Sequence, residues 1–287
     1  MALVENSIKL GFGLMRLPLL EDGKEIDIEQ SKKMVDAFIH AGGRYFDTAY
    51  IYEGSEVAAR KILVDRYPRD SYYLADKINA GEFCCKNAEE AKQEFLTSLE
   101  RTGAGYFDFY LLHAVSTINL LRYDKFGLWD YVKDLKNEGK IKHIGISFHD
   151  QASLLDEVLT AHPEIEFVQL QINYADWEDK SIQSKKCYDV ATKHGKPVVV
   201  MEPVKGGTLA NPPEKVKKVL TDYNKDASPA SWAIRFVASL PNVMVVLSGM
   251  SNEAQMNDNL SFMKDFKPFF KDEEEVINNA CTVLYQL

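Results

Sequence analysis

Short apolar runs alternate with amphipathic helical patterns from one end of the chain to the other, and this alternation restricts the fold more than any other feature of the sequence. Eight of the apolar runs are predicted to be strands: residues 9–13, 44–49, 72–77, 107–113, 143–147, 167–172, 197–201 and 243–247. Their nearly continuous apolar character is typical of strands buried on both faces, as in a parallel sheet that is covered by helices. The chain is therefore expected to form a parallel α/β fold.

The helical patterns between these runs carry recognisable end signals. Glycine follows a helical pattern at 42–43, 103, 139 and 195, where a left-handed residue would end the helix just before the next strand. Ser228 before Pro229 predicts a helix N-terminus, and Asn252 with Gln255 predicts another one with a capping box. Eight strand–helix repeats without a low-complexity linker favour a (β/α)8 TIM barrel over a doubly wound sheet, formed by a single domain that spans residues 1–287.

The composition limits the class of protein and its partners. The chain is 46% hydrophobic and 27% charged, and no apolar run approaches the roughly 20 residues that span a bilayer, so no membrane partner is expected. No secretory signal is visible, which points to the cytoplasm. A formal net charge of -9 disfavours binding of nucleic acid. The four cysteines lack Cys-x-x-Cys spacing and are expected to be reduced thiols with neither a disulfide nor a metal.

The loops that follow the predicted strands are longer than the turns that precede them. The longest lie at 77–86, 113–126 and 202–213. Loops of this length at the mouth of a barrel usually shape a binding site. The carboxyl ends of the strands are therefore predicted to form the functional face of the molecule.

Four polar residues lie at the ends of neighbouring predicted strands, where a barrel would bring them together: Asp47, Tyr52, Lys77 and His113. If Lys77 lies beside Tyr52, its charge is expected to lower the pKa of the phenol and to make it a usable proton donor near neutral pH. Asp47 would hold Lys77, and His113 would orient a carbonyl group. Such a set suits protonation of an oxygen while hydride reaches the attached carbon, and a cofactor must carry that hydride.

Each of these residues also has a purely structural interpretation when it is taken alone. Asp47 and Lys77 could form a buried ion pair at a strand end, Tyr52 could be an amphipathic surface aromatic, and His113 could be a core histidine with satisfied hydrogen bonds. Taken one at a time, these residues therefore leave the structural and the catalytic interpretations open.

Several motifs resemble the signatures of the aldo-keto reductase family: Phe46-Asp-Thr-Ala-Tyr-Ile-Tyr-Glu-Gly-Ser-Glu, the strand ending in Asp76-Lys77, and Asp108-Phe-Tyr-Leu-Leu-His. The similarity spans nearly the whole chain, through Gly11-Phe-Gly-Leu-Met-Arg, Gly145-Ile-Ser, Gln169-Leu-Gln-Ile-Asn and Leu247-Ser-Gly-Met-Ser. The resemblance implies a (β/α)8 barrel that reduces a small aldehyde or ketone with NADPH or NADH. It implies that Tyr52 is the general acid, Lys77 its pKa modulator, Asp47 the partner of Lys77, and His113 the residue that orients the substrate.

The resemblance also implies a set of cofactor-binding residues. Ser147 and Gln169 would hold the nicotinamide carboxamide, although the usual Ser-Asn pair reads Ser147-Phe148 here. The segment that would face the pyrophosphate contributes Glu202, Pro203, Lys205, Gly206 and Gly207. The segment that would face the adenosine contributes Gly249, Ser251, Gln255 and Asn259. The adenosine segment lacks the Lys or Arg that many members use against a 2′-phosphate, so both NADPH and NADH are candidate cofactors.

A narrower resemblance, in Gln171-Ile-Asn-Tyr-Ala-Asp and in the segment from Met201, is to the branch of the family that often carries a C-terminal ferredoxin-like extension with a [4Fe-4S] cluster. Cys281 alone cannot ligate such a cluster, which needs about four thiolates. The fold does not settle the function, so two alternatives to a reductase stay open. They are a cofactor-binding regulatory or sensor subunit, and an electron-transfer oxidoreductase whose cluster domain is absent from this chain.

Further residues are candidates for the mouth of the barrel. Phe12, Met15, Tyr50 and Trp177 could contact a ligand, and Arg16 could contact a substrate carboxylate. The sequence indicates neither the individual carbonyl substrate nor the oligomeric state.

Overall fold

Eight parallel strands close into a barrel in the computed structural model, which describes residues 2–286. The strands are β1 (Leu10–Gly13), β2 (Tyr45–Asp47), β3 (Tyr73–Ile78), β4 (Phe107–Val115), β5 (Ile141–Phe148), β6 (Phe167–Gln171), β7 (Val198–Met201) and β8 (Val243–Ser248). Each strand pairs with its neighbours in sequence, and β8 closes the sheet on β1 with Leu10 opposite Val246. The predicted (β/α)8 TIM barrel is confirmed.

Helices cover the outside of the barrel. They are α1 (Ile28–His40), α2 (Ser55–Ala59), α3 (Ala88–Thr102), α4 (Leu120–Lys125), α5 (Leu128–Asn137), α6 (Ala152–Ala161), α7 (Ser184–Lys193), α8 (Glu214–Tyr223), α9 (Pro229–Ala238), α10 (Glu253–Met263) and α11 (Lys271–Tyr285). Short 3-10 turns lie at Leu14–Arg16, Arg69–Ser71 and Lys205–Gly207, and a π-helical turn at Arg60–Val64 continues α2. None of the helices in residues 2–286 combines the length and the apolar character that a membrane crossing requires.

Alternate side chains along the strands fill two separate apolar layers. One set points into the barrel: Tyr45, Ala75, Phe109, Leu111, Phe167, Val199, Val245 and Leu247. The other set, including Phe46, Leu74 and Tyr110, packs between the strands and the helices. Gly145 leaves the space inside the barrel that the Phe167 ring fills, because a Cβ at this position would overlap that ring.

The predicted helix ends agree with the structure, with one exception. Gly42, Gly103, Gly139 and Gly195 have positive φ angles of 91°, 64°, 72° and 67° just after helices, as expected for residues that end a helix. Ser228 caps α9 by accepting a hydrogen bond from the Ser231 N–H. At α10, Asn252 accepts from the Gln255 N–H, but the Gln255 side chain accepts from the Ser251 N–H instead of the N-cap N–H. The predicted capping box is therefore only half formed.

Two strands extend at least two residues beyond their predicted bounds. β4 continues past His113 to Val115, and β5 runs from Ile141 to Phe148 because it pairs with β4 over this extra length. Part of the predicted loop at 113–126 is the short helix α4. Tertiary pairing and packing set these boundaries, which local sequence patterns define poorly.

Candidate active site

A cavity of about 590 Å³ opens at the carboxyl ends of the strands. Most of the residues predicted for the site line it: Asp47, Tyr52, His113, Gln169, Glu202, Pro203, Gly206, Gly207, Gly249, Ser251, Gln255 and Asn259. They come from segments far apart in the chain, and the closure of the barrel brings them together. The cavity therefore lies at the end of the barrel that the loop lengths predicted to be the functional face.

A buried ion pair forms the base of the cavity. The Lys77 Nζ lies 2.6 Å from Asp47 Oδ1 and donates a second hydrogen bond of 2.7 Å to the Thr48 carbonyl. Lys77 is fully buried. Burial lowers the pKa of Lys77, but attraction by Asp47 and Tyr52 outweighs it, and the net pKa is raised. The lysine therefore stays charged at neutral pH. Burial in turn raises the pKa of Asp47, and Lys77 opposes that effect.

Tyr52 lies between this ion pair and His113. The Lys77 Nζ is 4.8 Å from the centre of the Tyr52 ring, and the His113 ring centre is 5.6 Å away at an interplanar angle of 83°. Burial raises the pKa of the Tyr52 phenol above its ordinary value of 10.0, while the charge of Lys77 lowers it by less. The expected net lowering of the Tyr52 pKa is therefore wrong for this structure, since the cost of burying a phenolate exceeds the attraction by Lys77.

His113 is the third polar group at the base of the cavity. Its side chain is 6% exposed, and burial together with the charge of Lys77 lowers its pKa well below 6.5. The imidazole is therefore neutral at physiological pH and can donate one N–H. Its Nδ1 is buried and has no hydrogen-bond partner within residues 2–286.

Three of the predicted site residues do not line the cavity. Lys77 lies beneath it, as the ion pair requires. Ser147 is fully buried and its Oγ accepts a hydrogen bond of 2.7 Å from the Ala114 N–H. Lys205 directs its ammonium group to the buried carboxylate of Asp176, and not into the cavity.

Some of the further mouth candidates also lie elsewhere. Phe12 faces outwards from β1 and packs on Phe38, with ring centres 5.8 Å apart, because the flanking residues of the strand face inwards. Tyr50 turns towards the Arg101 guanidinium, 4.9 Å from its ring centre. Trp177 packs on Tyr188, outside the lining of the cavity. The mouth predictions for these three aromatic residues are therefore wrong.

Met15 and Arg16 do line the cavity, next to the segment that follows β8. The stem of Arg16 lies against Gly249, since a Cβ at this glycine would be 3.5 Å from the Arg16 Cβ and Cδ. The Arg16 guanidinium makes no ion pair in the part of the chain that the structure describes. A free positive charge is thus available beside Gly249, in the cavity that Ser251 and Gln255 also line.

The loop after β7 has an unusual backbone. Glu202, Lys205, Gly206 and Gly207 have positive φ angles of 58°, 50°, 64° and 100°. The left-handed conformation is costly for the two residues with side chains and is concentrated at functional sites. Turns of this kind can present N–H groups to an anion. In this loop the Lys205 and Gly207 N–H groups donate to the Glu202 and Val204 carbonyls, each at 3.0 Å, and the Gly206 N–H makes no such turn bond within residues 2–286.

Polar groups also line the side of the cavity formed by β6 and β8. The Gln169 Oε1 is buried and has no partner within residues 2–286, and its Nε2 lies 3.7 Å from the Met201 sulfur. The Ser248 Oγ and the Asn259 Oδ1 are 2.7 Å apart. The amide of Gln169 is therefore placed to bind a polar group in the cavity.

Several lining residues were missed by the sequence reasoning: His149, Met201, Ser248, Ala230 and Ile234. His149 directly follows β5, and this position after a predicted strand was an available signal. Ala230 and Ile234 lie on α9, and nothing in the local sequence places that helix at the cavity. Within the described residues no group of three or more His, Cys, Asp or Glu side chains is arranged to hold a metal ion.

The sequence pattern of the aldo/keto reductase family matches residues 9–279 of this chain. The chain is similar to an aldo-keto reductase from Mycobacterium avium (strain 104), with 25% identity over 274 residues that cover 94% of this chain and 89% of the relative. It is also similar to an aldo-keto reductase from Mycolicibacterium vanbaalenii, with 27% identity over 240 residues that cover 82% of this chain and 78% of the relative.

Solved structures share the same fold. The holo form of an aldo-keto reductase from Bacillus halodurans matches with a TM-score of 0.75 at 24% identity, covering 95% of this chain and 91% of that one. An aldo-keto reductase from Klebsiella pneumoniae in complex with NADPH matches with a TM-score of 0.71 at 19% identity, covering 94% and 90%. At these identities the likeness is one of fold.

Proposed function

The chain belongs to the aldo/keto reductase family, which makes it an NAD(P)-dependent oxidoreductase, and from this premise we propose that it reversibly reduces an aldehyde or ketone to an alcohol, with Tyr52 as the proton donor. One observation carries this proposal. The centre of the Tyr52 ring lies 4.8 Å from the ammonium of the buried Lys77, and the ring lies beside the neutral His113. Tyr52 and His113 line a cavity at the mouth of the barrel. Carbonyl reduction needs a proton donor of this kind.

The donors and acceptors around the cavity fit a nicotinamide cofactor. The unpartnered Gln169 Oε1 suits the carboxamide of nicotinamide, which has an N–H to donate. The left-handed backbone at 202–207 suits the pyrophosphate, and Gly249, Ser251, Gln255 and Asn259 would contact the adenosine half. The bound cofactor supplies hydride transfer.

Tyr52 holds the proton that the product alcohol receives. Because its pKa is raised, the phenol is protonated throughout the neutral range and is ready to donate to the carbonyl oxygen. Lys77 stabilises the phenolate that remains after the transfer, because its charge is close and buried. Asp47 keeps the Lys77 ammonium in place through the 2.6 Å ion pair.

His113 positions the substrate. A neutral imidazole can donate one N–H to the carbonyl oxygen without competing with Tyr52 for the role of acid. The 5.6 Å separation between the two ring centres allows both side chains to reach one oxygen atom. The substrate class is therefore a carbonyl compound small enough to enter the cavity of about 590 Å³ with the nicotinamide ring.

Arg16 is our candidate for the positive charge that the adenosine segment lacks. It lies against Gly249 and its guanidinium has no acidic partner in the described chain. We propose that Arg16 binds a phosphate of the cofactor. NADPH carries a 2′-phosphate that NADH lacks, so contact of Arg16 with this phosphate would favour NADPH over NADH. Arg16→Met should then weaken binding of NADPH more than binding of NADH.

We also propose that residues 1–287 form one domain. The barrel strands run from Leu10 to Ser248, and the two last helices pack back on it, with α10 against α1 and α11 against α8. No second set of strands is present in residues 2–286.

The test is a titration of the purified protein with NADPH and NADH by fluorescence, followed by a panel of aldehydes and ketones monitored through loss of reduced-cofactor absorbance. Tyr52→Phe should bind the cofactor as the wild type does and lose turnover by orders of magnitude. Tyr223→Phe is the matched control, since Tyr223 is 50% exposed and does not line the cavity. Tight cofactor binding without turnover on any carbonyl would contradict a reductase and favour the regulatory alternative.

A further inference from the structure

The strand that carries His113 contains a β-bulge directly at this residue. Pairing of β4 with β5 is regular up to Leu112 opposite Ile146 and resumes at Val115 opposite Phe148. β4 therefore contains one residue more than β5 over this stretch. Ala114 has a φ angle of 54°, in the left-handed region that alanine rarely adopts. Bulges of this kind redirect side chains next to active sites.

A bulge takes backbone groups out of the regular ladder, and buried backbone groups must find other partners. Three side chains supply them here. The Tyr123 hydroxyl donates to the His113 carbonyl, the Asn119 Nδ2 donates to the Ala114 carbonyl at 2.8 Å, and the Ser147 Oγ accepts from the Ala114 N–H at 2.7 Å. All three side chains are buried, with exposed fractions between 0% and 8%.

Tyr123 also connects His113 to the strand that carries Lys77. Its hydroxyl oxygen lies 3.3 Å from the Ile78 carbonyl oxygen and 3.4 Å from the Ala80 nitrogen. One phenol therefore joins the ends of β3 and β4 just beyond Lys77 and at His113. Tyr123 lies on α4, a short helix in the loop between β4 and the barrel helix α5.

No hydrogen bond within the described residues holds the His113 imidazole ring itself. The His113 Nδ1 has no partner within residues 2–286, and no side chain of the described chain forms a hydrogen bond with the ring. The ring can thus be placed relative to Tyr52 only through its backbone and through packing. Displacement of a catalytic group by about 1 Å can reduce turnover by a factor of about 100.

We propose that Tyr123 and Asn119, together with Ser147, are positioning residues that hold the bulge and thereby place the His113 imidazole against Tyr52. This inference rests on the proposed function of His113 in orienting the substrate carbonyl. It assigns a role to α4, which the closure of the barrel does not require, and a second role to Ser147.

The test uses Tyr123→Phe and Asn119→Asp. Phenylalanine keeps the buried ring and removes the hydroxyl. Aspartate keeps the oxygen that accepts from the Ser116 N–H at 3.1 Å but replaces the donor to Ala114 with an oxygen that repels the carbonyl. Ser147 is left unchanged because the family resemblance implies a separate cofactor role for it, although it does not line the cavity in this structure. The control is Tyr131→Phe, which removes a hydroxyl bonded to the Lys92 carbonyl at 3.2 Å, away from the cavity.

We expect kcat to fall by a factor of about 10 to 100 in both variants, with unchanged affinity for NADPH and NADH and unchanged turnover in Tyr131→Phe. A second readout is the NMR pH titration of the His113 imidazole, assigned by comparison with His113→Asn. The titration is read in Tyr123→Phe, because the new carboxylate of Asn119→Asp would by itself raise the His113 pKa. Release of the ring from its buried site should bring its pKa back towards the ordinary value of about 6.5, and a change confined to fold stability would not do this.

Wild-type kcat together with an unchanged His113 titration would overturn the proposal. Equal losses of kcat, cofactor affinity and thermal stability would also overturn it, because the residues would then merely support the fold. If the wild-type protein itself reduced no carbonyl, the proposed function would fail, but the NMR titration of Tyr123→Phe would still decide whether the Tyr123 hydroxyl holds the imidazole in place.

Discussion

Tyr52 illustrates how opposing electrostatic effects decide the protonation of one residue. The nearby Lys77 ammonium favours the phenolate, whereas burial favours the neutral phenol, and burial has the larger effect. The outcome is a tyrosine that keeps its proton through the neutral range. This suits a general acid, which must carry a proton when the substrate arrives.

The raised Tyr52 pKa predicts different pH dependences for the two directions of the reaction. Reduction needs the phenol, so its rate constant at saturating cofactor should stay level from about pH 6 to pH 9 and decline only above the ordinary tyrosine pKa of about 10. Oxidation of the alcohol needs the phenolate and should rise about tenfold per pH unit over the same range. Stopped-flow rates in both directions would measure this, and a reduction rate that halves near pH 7 would contradict it.

The Asp47–Lys77 ion pair should affect stability and activity separately. Lys77→Met leaves the buried Asp47 carboxylate without its partner, and breaking a buried pair in this way costs about 3–5 kcal/mol of unfolding free energy. Turnover should also be lost, because no charge then stabilises the phenolate. The double variant Asp47→Asn/Lys77→Met should recover most of the stability and none of the turnover. Urea unfolding and steady-state rates provide the two measurements, and equal stability of the single and double variants would count against a coupled pair.

At the scale of secondary-structure elements, buried carboxylates connect α2 and α3 to the strand that carries Lys77. Asp76 of β3, Glu56 of α2 and Glu94 of α3 are all at most 2% exposed. Glu56 pairs with Arg101 at 2.9 Å, and Glu94 accepts from the Asn79 N–H at 2.8 Å. Burial raises the pKa of Asp76 and of Glu94, so the packing around β3 places these two carboxyl groups where their charged forms are unfavourable.

Glu94 should make the stability of the molecule pH-dependent. Burial raises the pKa of Glu94 from 4.5 to about 8 in the folded state. Between these values unfolding releases a proton, so the free energy of unfolding should fall as pH rises, by up to about 1.4 kcal/mol per pH unit. Glu94→Gln should remove this slope. The exposed Glu100 on the same helix provides the control Glu100→Gln, and chemical unfolding at pH 5 to 8 gives the measurement. An equal slope in wild type and Glu94→Gln would refute the assignment.

At the scale of the whole molecule, the interior of the barrel is filled where a large side chain on one strand lies over a glycine on the next strand. The Phe167 ring fills the space that Gly145 leaves, and it packs on Phe109 with ring centres 5.2 Å apart at an angle of 88°. Gly145 and Phe167 face each other across β5 and β6. The interior is thus a close-packed core beneath the cavity.

Gly145→Ala should destabilise the barrel by overpacking, by about 1–3 kcal/mol. Gly145→Ala/Phe167→Leu should recover part of this loss, because the smaller side chain makes room for the added methyl group. Thermal unfolding of both single variants and the double variant would measure the coupling. Strictly additive effects of the two substitutions would show that the contact does not limit the barrel.

The sequence determined the fold and the candidate catalytic residues, because both depend on local patterns. The strand–helix alternation predicted the barrel, and Asp47, Tyr52, Lys77 and His113 were found from their positions at strand ends. Helix ends at Gly103 and Ser228 could be predicted because a left-handed residue and an N-cap act within one turn of the chain. The resemblance to the family indicated the cofactor, NADPH or NADH.

Only the tertiary structure decided what depends on contacts between distant segments. It turned Phe12 to the outside of β1, paired Lys205 with Asp176, brought Arg16 against Gly249, and made Ala230 of α9 part of the cavity. It also set the pKa of Tyr52, since burial cannot be read from a linear pattern. The tertiary structure also decided the bulge at His113 and its contact with Tyr123 of α4. The extra residue in β4 is defined only by the pairing of β4 with β5.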